Sequence, residues 1–134
     1  MIYPMFAMVL LTFAVLIYMA ALRFRCVKNK QVHPRYFKLM QGEALPDNVA
    51  KAGRHFSNLC ETPPLFYAAG ILAIVMNVTG DLVVHLGWAY VASRVVHAMI
   101  HLTYNNPLHR LGAFAVSLVC ILGIWIALLS KVAA

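Results

Sequence analysis

RHFSNLCETPP, residues 54–64, is a polar and charged stretch that passes directly into the apolar run LFYAAGILAIVMNV, residues 65–78. On a helix, Arg54, Asn58 and Glu61 fall at i, i+4 and i+7 and therefore share one face. The apolar part is too short to cross a bilayer core comfortably, so the charged part must enter the membrane or project just beyond it. Either position makes these groups costly unless they face a partner or a ligand. Pro46-Asp47-Asn48 marks the helix start, with Asp47 or Asn48 as its cap. The helix is expected over about residues 49–78, bent where Pro63 and Pro64 remove two backbone donors.

Outward from this stretch, the composition points to a membrane. Of the 134 residues 63% are hydrophobic and 11% charged, far from the balance of a soluble domain. Ile2 to Leu22 carries no charge and is long enough for the roughly 30 Å bilayer core, so a first span is expected at about residues 2–22. Its basic residues follow the run rather than precede it, which favours a retained span over a cleaved signal peptide. The loop over about 23–47 bears, between Arg23 and Pro46, Arg23, Arg25, Lys28, Lys30, Arg35 and Lys38 against the single acid Glu43, and the positive-inside rule assigns it to the cytoplasm. Crowding of the positive charge into this loop argues against a nucleic-acid surface.

Asn77 to Asp81 reads as a tight outer turn. A third helix is expected at about 82–102 and a fourth at about 108–129, with Pro107 near its start. Four spans place both termini outside and both basic loops inside. The sequence thus describes an all-α integral membrane protein, a bundle of four transmembrane helices forming one domain over residues 1–134. Cys26, Cys60 and Cys120 lack the spacing of a disulfide or zinc framework. No internal repeat, phosphate-binding glycine loop or Ser-His-Asp arrangement is present, which removes the soluble-enzyme readings.

On the third helix Arg94, His97 and His101 lie at i, i+3 and i+7, again on one face and at a depth similar to Arg54, Asn58 and Glu61. Glu61 is expected to pair with Arg94 or His97, because isolated charges in a membrane cost at least a few kcal/mol. That pair leaves Arg54, Arg110, the histidines and Asn58 in excess of what one structural bridge requires. A cationic, donor-rich cavity suits a small anion bearing several carboxylates, and it would favour the thiolate form of a bound thiol. His97 and His101, at i, i+4, form a metal-ligand pair but have no third ligand at helical spacing other than Glu61, so no metal is expected.

At these residues the chain resembles the MAPEG family, the membrane-associated proteins in eicosanoid and glutathione metabolism. Arg54, Asn58, Glu61 and Pro63 match its signature of arginine, Asn at +4, Glu at +7 and Pro at +9. Arg94-Val95-Val96-His97 is similar to its third-helix segment, and Pro107 with Arg110 resembles its step into the last helix with one residue inserted. The resemblance implies a homotrimer that binds glutathione between protomers on the cytoplasmic side and takes a lipid or other apolar small molecule as second substrate. It further implies that Arg54, Asn58, Glu61, Arg94 and His97, with His101 and Tyr104 near the end of the third helix, bind or brace glutathione, and that Arg110 stabilises its thiolate. Three positions depart from the family pattern: Ser57 stands where several members have a second arginine, His101 where members carry tyrosine, and Phe114 where some have a phenol. Each lost polar contact is expected to weaken binding by roughly 1–3 kcal/mol. The expected function is a glutathione-dependent transferase or peroxidase. The alternative is a non-catalytic trimer that binds an anionic lipid or metabolite. The length, the short loops and the lack of a targeting segment point to a bacterial inner membrane.

Overall fold

The computed structural model describes residues 1–42 and 44–133; Glu43, the acid assigned above to the first basic loop, lies outside the described residues. The elements are α1 (Ile2–Lys28), α2 (Tyr36–Leu39), α3 (Asp47–Glu61), α4 (Pro63–Val75), α5 (Asp81–Leu102) and α6 (Pro107–Ala133), and all regular structure among the described residues is helical. α1, the consecutive pair α3–α4, α5 and α6 are each long and apolar enough to cross a membrane. The protein is an all-α membrane bundle of four spans. α1 and α6 are far more apolar than the two spans between them.

α1 runs past Leu22 to Lys28, so Arg23, Arg25 and Lys28 ride on its last turns rather than in a loop. Arg and Lys are good helix formers, and their charge is favourable at a helix C-terminus. The segment after α1 is pinned by Val32, which is buried with Cys26 of α1 and with Val49 and Ala52 of α3. Arg23 lies over the Phe37 ring at 5.5 Å. α3 starts directly at Asp47, with Pro46 in the N-cap position, and the Asn48 side-chain oxygen accepts from the Val49 N–H at 2.9 Å in the first turn.

The second span is broken where the two prolines stand. Pro63 and Pro64 have no N–H to offer the carbonyls of Leu59 and Cys60, so the ladder lapses at Thr62. The Thr62 hydroxyl donates to the Asn58 carbonyl at 3.1 Å, and the Leu65 N–H to the Thr62 carbonyl at 3.1 Å. α4 then ends at Val75, earlier than the sequence suggests. Asn77 turns left-handed at φ 54°, and the Val78 and Asn77 N–H groups close back on the Ala73 and Ile74 carbonyls at 2.8 and 3.1 Å.

α5 packs against α1, α3 and α6 and is the most buried span. The main core joins Met8 and Val15 of α1, Phe66 and Ala73 of α4, Tyr90 of α5 and Ile124 of α6. Phe66 and Tyr90 stack with centroids 4.2 Å apart. Phe6, Leu10, Phe13 and Ile17 of α1 and Leu122, Ile126 and Leu129 of α6 face outward, as the lipid-facing surface of a membrane bundle requires. All three cysteines are free thiols; Cys26 and Cys120 are buried and Cys60 is exposed.

Close approach of α1 and α5 depends on Gly87. A Cβ built there would lie 3.1 Å from the Met1 sulfur and 3.3 Å from Cβ of Pro4, a rigid ring. Replacing Gly87 with Val should therefore destabilise the bundle by about 1–3 kcal/mol, read as a lower unfolding midpoint in detergent.

Candidate functional site

α3 is amphipathic in a way that explains its position. Val49, Ala52, His55 and Leu59 are its buried residues, leaving the stripe of Arg54, Asn58 and Glu61 free for a neighbouring cavity. α6 is set by its cap: the Asn106 side-chain oxygen accepts from the Leu108 and His109 N–H groups at 2.9 and 3.3 Å, with Pro107 at the first helical position. Arg110 consequently lies in the first turn of α6 and its guanidinium turns back toward α5. The two loops that follow α1 and α5 lie at the same end of the bundle, and the cavity opens there.

The cavity has a volume of about 490 Å³ and gathers Arg54, Asn58 and Glu61 from α3, His97 and His101 from α5, and Arg110 from α6. Leu111 and Phe114 give it an apolar wall. Six of the eight residues singled out in the sequence thus meet in one place. The positive end of the α6 dipole adds to the charge of the two arginines.

Arg94 stands behind this wall rather than in it. It has no solvent exposure, and its Nη2 donates to the Asn58 side-chain oxygen. Its Nε and Nη1 find no acceptor, and the guanidinium lies 5.6 Å from the centre of the Phe114 ring. Phe114 thus offers its π face to a buried cation. The expected pair of Glu61 with Arg94 or His97 is not formed: Arg94 takes Asn58, both His97 ring nitrogens lack a partner among the described residues, and Glu61 remains exposed at the cavity. A neutral acceptor near Arg94 leaves the Glu61 carboxylate available to whatever enters.

Arg110 is held from two sides. Its Nη1 donates to the Asn105 side-chain oxygen at 2.9 Å and lies 3.4 Å from His101 Nε2. Asn105 reaches this position through a left-handed backbone, φ 52°, which Asn tolerates better than most residues. Tyr104 is not brought to the cavity; it is exposed, and its hydroxyl pairs with His109 Nδ1 at 3.0 Å.

One residue inside the quoted stretch was passed over. His55 has no solvent exposure, its two ring nitrogens have no partner, and it packs against His97 and His101. The signal was present: His55 falls on the helical face of Ala52 and Leu59, where an apolar residue is the ordinary choice. It also supplies the third imidazole that the pair on α5 lacked in the sequence reading.

The fold and cavity define a class, four-span membrane proteins with a cationic, histidine-walled cavity at one end of the bundle. The MAPEG family model matches residues 1–130, and the chain belongs to the MAPEG family. Comparison with curated proteins and with solved structures gives no match. Membership carries, at the level of the family, a membrane role related to glutathione or eicosanoid metabolism.

Among the described residues, Asn58 provides the sole hydrogen-bond acceptor of the buried Arg94 side chain. Asn58→Leu should lower stability by about 1.5–3 kcal/mol, the worth of a hydrogen bond to a charged group, whereas Asn58→Asp, which keeps an acceptor, should lose much less. Thermal unfolding of the two variants side by side checks the difference.

Proposed function

We propose that this protein is a glutathione-dependent transferase or peroxidase that acts on apolar electrophiles. The observation that carries the reading is the convergence of Arg54, Glu61 and Arg110 on one cavity of about 490 Å³, within the range of about 300–1,000 Å³ usual for small-molecule sites. The Arg54 guanidinium suits a carboxylate of the tripeptide, the exposed Glu61 carboxylate suits its ammonium group, and Arg110 is left for the thiol. Asn58 and His97 add polar edges, and Arg94 braces Asn58 from behind. The residues present therefore fit the ligand.

Glutathione, when bound, supplies the nucleophilic thiol. Arg110 is the residue assigned to the thiolate: a guanidinium fixed by Asn105 stabilises a neighbouring anion without having to reorient, which shifts the thiol toward its reactive form. The apolar wall at Leu111 and Phe114 leads from the charged groups toward the lipid-facing side of α6, a route by which an apolar substrate reaches the nucleophile. The same reading makes the working unit a homotrimer with glutathione between protomers. It also sets the cavity on the cytoplasmic side of a bacterial inner membrane, with both termini periplasmic. Positive charge at the cavity end of the bundle supports that orientation.

The second reading, a non-catalytic trimer that holds an anionic lipid or metabolite, draws on the cavity wall. Phe114 brings no hydroxyl, Tyr104 turns away, and Ser57 adds no second cation. Both readings use the same arginines, and a thiolate separates them.

Titration of the purified protein with glutathione at neutral pH should raise a saturable ultraviolet thiolate band. Arg110→Leu should abolish that band and lower turnover far more than it lowers glutathione binding. No band and no heat of binding from glutathione, with thermal protection by anionic lipid instead, would replace the first reading with the second.

A further inference from the structure

We propose that His55, His97 and His101 form a three-imidazole site for a divalent transition metal of the zinc type, with a fourth coordination position open to the cationic cavity. His55 comes from α3 and the other two from α5, and all three are buried. One ligand nitrogen from each can be chosen so that all lie within 4.8 Å of one another. Five of their six ring nitrogens are buried without any hydrogen-bond partner: both of His55, both of His97 and Nδ1 of His101. A buried imidazole nitrogen without a partner costs free energy, and three such rings turned toward one another are hard to account for as packing residues alone.

The ring positions suit a metal. With metal–nitrogen bonds of about 2.0–2.1 Å at tetrahedral angles, three imidazole centroids stand about 5.2 Å apart. The observed separations are 5.1 Å for His55–His101, 5.5 Å for His55–His97 and 5.8 Å for His97–His101. The ligand nitrogens must close from 4.8 Å to about 3.4 Å.

Ligand chemistry narrows the metal. Imidazole without thiolate or carboxylate suits zinc, copper, nickel or iron rather than calcium or magnesium, and three histidines with an open fourth position is the pattern of catalytic zinc. His97 and His101 form part of the cavity wall, so the fourth position faces the space that Glu61 and the arginines share. A dication near Arg94 and Arg110 is repelled, and an anionic fourth ligand is therefore part of the site. The Glu61 carboxylate, hydroxide or an incoming anion can fill that role.

Arg110 is coupled to the metal through His101. A neutral imidazole has one lone pair, and in this structure Arg110 approaches it at Nε2. A metal on either nitrogen of His101 takes that lone pair, so Arg110 keeps Asn105 alone and turns further into the cavity. Occupancy of the histidine site and the direction of the cavity's cation are then linked.

The test is titration of chelator-stripped protein, purified without a histidine tag and free of glutathione, with Co²⁺ followed by Zn²⁺. The expected result is one Co²⁺ per chain with visible d–d absorption, displaced by Zn²⁺. His55→Gln, His97→Gln and His101→Gln should each weaken binding more than about 100-fold, beyond the cost of losing an outer-shell partner. His85→Gln and His109→Gln should leave it unchanged, and Arg110→Leu should tighten it. Absence of a band, or a band that survives His55→Gln, overturns the site. If the glutamine variants do not fold, X-ray absorption of the Co²⁺-loaded native protein decides: three imidazole ligands support the site, and fewer overturn it. Because the titration contains no glutathione, its outcome is independent of the transferase reading.

Discussion

A guanidinium with no exposure to solvent sits inside a membrane-spanning helix, and the rest of the structure is arranged so that it can stay there. Arg94 cannot lose its charge cheaply, and lipid offers it nothing. Its acceptor has to come from another helix at the same depth, and Asn58 is that acceptor. This requirement fixes the register of α3 against α5. The cation is then completed by the face of Phe114 from α6, so one side chain ties three spans at the same level.

The break at Thr62 makes the arrangement possible. A continuous helix through two prolines would bring each proline ring against the preceding turn. Ending α3 at Glu61 and restarting at Pro63 lets the polar half and the apolar half of the span follow different neighbours. Both halves touch α1, but α3 lies against α5 while α4 packs against α6. The cavity forms at the polar half, and the Phe66–Tyr90 stack closes the apolar half.

Much of this was legible because membrane helices obey two simple constraints, length and charge. The uncharged run after Ile2 and the basic residues that follow it are enough to define a span, and the i, i+4, i+7 spacing of Arg54, Asn58 and Glu61 is enough to define a face. The double proline announces the break. Pairing was not legible, because spacing along one helix says nothing of which donor on the next is nearest. Glu61 was therefore matched to Arg94 or His97 on charge, when the shorter and neutral Asn58 is the residue the backbone delivers to Arg94. The direction of Tyr104 was not legible either: α5 stops at Leu102, and beyond that point helical periodicity no longer says where a side chain points. His55 escaped notice because its neighbours in the sequence carried the more obvious charges.

The uneven apolarity of the four spans bears on how the chain gets into the bilayer. α1 and α6 are apolar enough to partition on their own, the one cavity arginine of α6, Arg110, standing in its first turn, but α3–α4 and α5 carry Arg54, Glu61, the buried Arg94 and the three histidines. Insertion of a lone helix with a central arginine is penalised by about 2.5–3.5 kcal/mol. The second and third spans are thus best accepted as a hairpin in which Asn58 already shields Arg94. The residues that make the cavity useful also impose an order of biogenesis on the polypeptide. The two strongly apolar helices act as its first and last anchors, and the chemically equipped middle enters as a preassembled pair.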